Sequence, residues 1–284
     1  MNPVRKALWF IESHFATDIS LEDIARAAGV SRFHMTRSFG AATNRSIMRY
    51  VRARRLSEAA KSLQNGAPDI LSVSLDAIYS SHEAFTRAFR SEFGLTPETV
   101  RAQGTGAKLE LVDPIKLDDT AAIQLHAPRF MKGERLLIAG LGERYTCETS
   151  AAIPSQLQRF LPHLGHIPGQ IGNAAYGVRC NDDDAGNFDY ICGVAARDFA
   201  RISAAWTCLR IPERHYAVFR HSDHVSTIRS AWNAIWNSWL PDSEHEAVDA
   251  PSFERYVEQF NSTTGQGGFE LWVAVQPKAR GVKS

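Results

Sequence analysis

The chain has 284 residues, of which 44% are hydrophobic and 22% charged, with a formal net charge of +1. That composition excludes a disordered, collagen-like or coiled-coil protein, and no run of about 18 apolar residues is present to span a membrane. At about 150 residues per domain the length predicts two domains, each able to bury a core.

The first stretch, Met1 to Glu12, reads as an amphipathic helix. It does not read as a signal peptide, because Arg5, Lys6 and Glu12 interrupt the apolar run before an h-region forms. Val4, Leu8, Ile11 and Phe15, then Leu21, Ile24, Ala25 and Ala28, recur at helical spacing. Ser20 with Asp23 forms a capping-box start. Gly29 ends that helix and Ser31 caps the next across a short turn. A longer helix of about 27 Å runs from Ser46 to Leu63, until Asn65-Gly66-Ala67-Pro68 stops it. Helical stretches follow at Ile70–Ala77 and Ser81–Phe93, and Gln103–Ala107 reads as a linker. Beyond it the texture changes. Leu136–Gly140, Phe188–Val194, Tyr216–Phe219 and Phe269–Val275 read as strands, with helices at Ser155–Leu164 and Val225–Leu240. Two rounds of strands around one helix each predict an antiparallel α+β domain with internal pseudo-symmetry. The expected boundaries are 1–107 and 108–284.

Charge divides the same way, +4 over residues 1–107 and −3 over 108–284. The basic part is the one suited to a polyanion. Four cysteines, Cys147, Cys180, Cys192 and Cys208, form no C-x-x-C pair. They fit buried thiols in a reducing cytoplasm better than a disulfide frame or a zinc site.

The clearest internal signal is a repeat at an offset of 50 residues, Ser31–Phe39 against Ser81–Phe89. On a helix, Met35 and Phe39 point one way while Arg32, Phe33, Thr36 and Arg37 point the other. In the second copy Phe85 and Phe89 point inward and His82, Glu83, Thr86 and Arg87 outward. An apolar-backed helix presenting arginine, preceded by a shorter helix across a tight turn, is a helix-turn-helix. Arginine suits base reading because its fork pairs with guanine O6 and N7 or with phosphate. The alternative is a plain helical bundle whose exposed faces carry arginine. Duplication across a helix of about 27 Å favours DNA, since successive major-groove faces lie about 34 Å apart.

Residues 1–101 resemble the DNA-binding domain of the AraC/XylS transcription factors. The resemblance rests on Leu21, Ala25, Gly29 and Ser31, on Arg37-x-Phe39, on Ser46, Tyr50, Arg55, Ala59 and Leu63, and on His82–Phe89 with Phe93-Gly94-Leu95-Thr96-Pro97. It implies a seven-helix domain whose two reading helices, carrying Arg32, Phe33, Thr36 and Arg37 and then His82, Glu83, Thr86 and Arg87, enter adjacent major grooves. Ile78 stands where that family has a turn glycine and Ser74 where it has alanine. A β-branched residue tolerates positive φ poorly, which predicts a remodelled second turn.

Residues from about 112 to 277 resemble the GyrI-like effector-binding domain. The matching motifs are Ala175-Tyr176-Gly177-Val178, Phe188-Asp189-Tyr190, Tyr216–Phe219, Trp232, Ile235-Trp236, Trp239-Leu240-Pro241, Phe253-Glu254-Arg255-Tyr256 and Phe269-Glu270-Leu271-Trp272. The resemblance implies a cleft for amphipathic, often cationic, small molecules. Glu270, inside a strand and flanked by Phe269, Leu271 and Trp272, is costly to bury without a partner. With Tyr145, Tyr176, Tyr190, Trp206 or Trp272 it is the expected seat of an organic cation. The alternative readings are a solvated Glu270 and aromatics that only build the core.

Other clusters carry less. His163-x-x-His166 and His221-x-x-His224 have no nearby third metal ligand. Asp182-Asp183-Asp184 lacks the distal glutamate of a calcium loop and reads as a solvated hairpin. No catalytic residue, metal or cofactor is expected. The resulting expectation is a cytoplasmic one-component transcriptional regulator. It binds double-stranded promoter DNA, a small-molecule effector and RNA polymerase, as a monomer or dimer. The competing expectations are a cleft that hydrolyses a small molecule with Glu270 as general base, and a binding module with no ligand response.

Overall fold

The computed structural model describes residues 2–117, 123, 125–257, 260–261 and 264–278. Helices come first: α1 (Pro3–His14), α2 (Leu21–Ala28), α3 (Arg32–Thr43), α4 (Ile47–Gln64), α5 (Ile70–Asp76), α6 (His82–Phe93) and α7 (Pro97–Gln103). Their ends follow local chemistry. The Ser20–Asp23 capping box is formed at α2, Ser81 accepts from the Ala84 N–H at the start of α6, and Thr96 with Pro97 opens α7.

Two turns decide how these helices connect. After α2, Gly29 takes φ +74°. After α5, Ile78 takes φ +62°, so the second turn is not remodelled. It keeps the left-handed geometry and imposes it on a β-branched residue, at a cost of about 1–2 kcal/mol.

The carboxyl-terminal elements are β1 (Arg129–Gly133), β2 (Leu136–Thr146), α8 (Ile153–Phe160), β3 (Gln170–Cys180), β4 (Asn187–Ala196), β5 (Thr207–Ile211), β6 (Arg214–His221), α9 (Ile228–Ala234), α10 (Leu240–Asp242), β7 (His245–Ala247), β8 (Ser252–Tyr256) and β9 (Phe269–Pro277). A π-helical stretch, Ile235–Trp239, joins α9 to α10. The strands form one antiparallel sheet ordered β1-β6-β9-β8-β3-β4-β2-β5, with β7 on β9. Its two halves, β2-α8-β3-β4 and β6-α9-β8-β9, meet where β3 pairs with β8, Ala175 opposite Tyr256. The expected all-α region and pseudo-symmetric α+β domain are both present.

The sheet has two apolar faces. Ala217, Phe219, Leu271 and Val273 pack with Ala231, Ile235 and Trp236 of the α9 region, and Phe188, Tyr190 and Val194 pack with Phe160 of α8. Tyr176, Ile191, Tyr216, Phe253 and Trp272 build the other face. Strand alternation assigns each residue to its side.

The chain forms two compact units. One comprises Arg5–Ser31 and Ile47–Leu117; the other comprises Met1–Val4, Arg32–Ser46 and Asp118–Ser284. The helical unit is centred on Leu56, Leu63, Phe85, Phe89 and Val100. It runs past residue 107 because Arg54 donates to the Val112 carbonyl at 2.8 Å and Ser57 accepts the Val112 N–H at 2.9 Å. α3 packs with the sheet.

Candidate DNA-reading and effector surfaces

In the helical unit α6 is backed by Phe85 and Phe89, both fully buried. Glu83, Arg87 and Arg90 are exposed. Together with His82, Thr86, Ser91 and Thr96 they line an open depression of about 560 Å³. His82 Nε2 lies 3.4 Å from Glu98, and Thr86 Oγ1 is buried without a hydrogen-bond partner among the described residues.

α3 has the same backing, Met35 and Phe39 at 0% exposure, and a different outer face. Arg37 is 4% exposed. Its Nη2 lies 2.9 Å from Asp182, its Nη1 donates to Ser252 Oγ at 3.1 Å, and it stands over the Phe33 ring at 5.0 Å. Burial draws its pKa down to about 10 against the pull of Asp182. Arg32 pairs with Asp184. Phe33 meets Trp236 edge-on with centroids 5.9 Å apart, and Thr36 is half-buried. The run Asp182-Asp183-Asp184 is a hairpin solvated only in part: Asp184 is exposed, whereas Asp182 is nearly buried. Asp182 also takes Arg179, and Asp183 takes Arg144 at 2.6 Å.

The π-helical stretch explains one further contact. The Leu240 N–H bonds to the Ile235 carbonyl, and five residues after Trp236 stands Pro241, which has no N–H. The Trp236 carbonyl is left for side chains, and His34 Nε2 at 2.8 Å and Ser38 Oγ at 3.3 Å bond to it.

The helix-covered face of the sheet also holds Glu254, 6% exposed. Its carboxylate accepts from the Tyr190 hydroxyl and from the Trp232 indole N–H, each at 2.7 Å. Desolvation raises its pKa, and these hydrogen bonds and the Arg37 charge only partly oppose it. Gly177 makes the arrangement possible, because a Cβ there would stand 2.5 Å from Glu254 Oε2.

The six residues expected at the effector site do not converge. Tyr145, Tyr190 and Trp206 belong to the α8 side, where Tyr145 donates to Glu143 and Trp206 meets Phe160 and His163. Tyr176 and Trp272 belong to the opposite face. Glu270 lies there too, 8% exposed. It is bonded by Arg129 at 2.6 Å, Arg255 at 3.3 Å and the Trp272 indole at 3.1 Å. Burial works to raise its pKa, but Arg129, Trp272 and Arg255 outweigh burial and hold it below the usual carboxylate range.

Residues 126–276 match the GyrI-like small molecule binding domain, and residues 24–103 match a helix-turn-helix domain. The chain belongs to the GyrI-like family, with an AraC/XylS-type helix-turn-helix region. Among curated relatives, the transcriptional regulator Rob of Salmonella typhimurium is 30% identical over 169 residues, 58% of this chain and 57% of that protein. The right origin-binding protein of Escherichia coli K12 is 31% identical over 144 residues, 51% and 49% of the two chains. The regulatory protein SoxS of Salmonella typhimurium is 30% identical over 98 residues, 34% of this chain and 92% of SoxS. The chain spans about half the length of the first two.

In this GyrI-like domain the residues that sequence reasoning did not place at a site are Glu254, Trp232, Trp236 and Asp182. A signal existed for Glu254: it shares strand parity with Tyr256, as Glu270 does with Trp272. Parity separates the faces but does not say which carboxylate meets arginine and which meets neutral donors. Cys147, Cys180 and Cys192 are buried as expected, whereas Cys208 is exposed.

Proposed function

We propose that this chain is a one-component transcriptional regulator. Residues 1–107 bind promoter DNA, and residues 108–284 bind a small amphipathic organic cation. The carrying observation is the buried Glu254, whose two hydrogen-bond partners, Tyr190 and Trp232, are both neutral and aromatic. A carboxyl group so placed is hydrogen-bonded by no cationic side chain, so an organic cation with aromatic surface entering beside it would favour its ionised form, and the neighbouring ring faces add to the attraction. Glu270 is already neutralised by two arginines and serves the domain as an ionic tie. The same arginines make it a poor general base, which removes the motive for a hydrolase.

On the DNA side, Arg32, Phe33, Thr36 and Arg37 form the first reading set and His82, Glu83, Thr86 and Arg87 the second. RNA polymerase is the expected partner of such a regulator at a promoter, and the cytoplasm its place.

Two titrations test the reading. A duplex selected by the chain from a random pool should lose affinity steeply as salt rises. Tetraphenylphosphonium should raise the melting temperature of the wild type, and less so after Glu254→Gln, whereas a neutral analogue of the same shape should discriminate little. Salt-independent DNA binding, or equal responses to the charged and neutral compounds, would sink the respective half.

A further inference from the structure

The first reading helix is held by the domain that senses the ligand. Two of its four reading side chains, Arg37 and Arg32, are paired with Asp182 and Asp184 of the β3–β4 hairpin. Carboxylates on that hairpin meet the guanidinium groups as phosphates or a guanine edge would. A third, Phe33, lies against Trp236. His34 and Ser38 bond to the one carbonyl that Pro241 leaves without a helical donor, and Asn237 returns a bond to the Ser38 carbonyl at 3.0 Å. Gly40 permits close approach, since a Cβ there would come 2.7 Å from Cys147 Sγ. The contacts involve charge, ring packing and backbone, and all lie on α3.

Their location matters as much as their number. Arg37 bonds to Ser252, two residues before Glu254 on the same face of β8, about 7 Å along the strand. Phe33 touches Trp236, which stacks on Trp232 with centroids 6.3 Å apart, and Trp232 holds Glu254. Arg37 is thus a cation beside an aromatic ring at the approach to the buried carboxylate. Its Nε is buried with no hydrogen-bond partner among the described residues.

We propose that α3 is a stowed reading helix: Arg37 and Phe33 occupy the approach to the effector cleft as a resident ligand, and an organic cation competes with them and frees the helix for DNA. The inference rests on the DNA-reading and effector-binding roles proposed above. A ligand moves this equilibrium only by its preference for the released form, and displacement supplies that preference, because docked α3 and bound cation claim the same space.

The test uses the full chain carrying Gly40→Cys. A Cβ at that position lies 4.0 Å from Cys147 Cβ, within the span of a disulfide. Diamide should cross-link the new thiol to Cys147, and adding Cys147→Ser should abolish the link. The cross-linked chain should bind the selected duplex about tenfold more weakly than the same chain after reduction. Tetraphenylphosphonium, or the duplex itself, added before diamide should slow cross-linking about fivefold. Asp182→Asn, made without any cysteine change, should bind the duplex about threefold more tightly than the wild type. Absence of the cross-link overturns docking. A cross-link that leaves DNA affinity unchanged overturns masking, and a rate indifferent to the cation overturns competition. A wild type that selects no duplex overturns the DNA-reading role itself, and the cross-link then still decides whether α3 is docked.

Discussion

α3 and α6 carry the two copies of one repeat, and they end in opposite surroundings. Each buries its inward pair completely, Met35 with Phe39 and Phe85 with Phe89. Outward, α6 presents Arg87 at an open depression, whereas α3 presents Arg37 to Asp182 in the interior of the sheet unit. Helical periodicity fixes which side chains leave the core. What they meet is set by residues more than a hundred positions away. Matching repeats therefore license matching helices, and the state of each reading face has to be found separately.

Truncating the two arginines one at a time separates the two helices most strongly. Arg37→Ala removes a buried cation, leaves Asp182 with Arg179 alone and opens a void. It should lower the stability of the sheet unit by about 2–4 kcal/mol in urea denaturation. Arg87→Ala, on an exposed face, should stay within about 0.5 kcal/mol. Equal and small losses would mean that Arg37 is not held as described.

A change of pH probes the docked face without deleting it. Burial is the main cause that lowers the His34 pKa, with Lys278 adding to it and the hydrogen bond to the Trp236 carbonyl opposing it. Docked α3 therefore binds fewer protons than released α3. The contribution of His34 is fully present above its ordinary pKa of 6.5 and is lost as pH falls below that value. Cross-linking of the Gly40→Cys chain should slow between pH 7 and pH 5.5 beyond the loss of thiolate, as calibrated on a small-molecule thiol. His34→Gln should remove that extra slowing. A pH profile unchanged by the substitution would place the sensitivity elsewhere, with buried His221, also shifted down by burial, the next group to replace.

The two turns offer a smaller and cleaner contrast. Gly29 and Ile78 share a left-handed backbone, and only one of them suits it. Ile78→Gly should stabilise the helical unit by about 1 kcal/mol, the relief of strain less the entropy glycine adds to the unfolded chain. Gly29→Ile should destabilise by about 1–2 kcal/mol. If Ile78→Gly destabilises instead, the packing of the isoleucine outweighs its backbone.

Much of this was legible in the sequence. Ser20 and Asp23 announce the start of α2, and Asn65-Gly66 the end of α4. Apolar runs expose the long strands β2, β4, β6 and β9 but not β3, whose first residues, Gln170 to Asn173, are largely exposed. The short strands β1, β5, β7 and β8 are three to five residues long, too few for a period to declare itself. The turn at Ile78 is not remodelled because the Ile78 N–H bonds to the Leu75 carbonyl and the Tyr79 N–H to the Ser74 carbonyl, a helix-capping pattern that fixes the left-handed backbone. The choice between Glu270 and Glu254 lay in which neighbours the topology supplied. Both interrupt apolar strands, but Arg129 reaches Glu270 from a strand 141 positions distant. The pairing of Asp182 with α3 escapes the sequence for the same reason, since α3 precedes it by about the length of a domain.

The smallest expected effect returns to α6. Thr86 corresponds to Thr36 in the repeat, and its Oγ1 is buried with no partner among the described residues. An unpaired buried hydroxyl costs free energy that a methyl of the same shape does not. Thr86→Val keeps the volume and removes the hydroxyl, so the DNA-free chain should gain about 0.5–1 kcal/mol. If rotation of the side chain brings the hydroxyl to a base or phosphate in the complex, affinity for the selected duplex should fall by a comparable amount, and the salt slope should stay the same. Thermal melts and binding isotherms on one preparation separate the two terms. A more stable variant with undiminished affinity would make Thr86 a filler of the helix surface and leave Arg87 and His82 as the contacts of the second unit. A less stable variant would mean that the hydroxyl is already satisfied, by water or by a local carbonyl, and that α6 is as fully occupied in the free protein as α3.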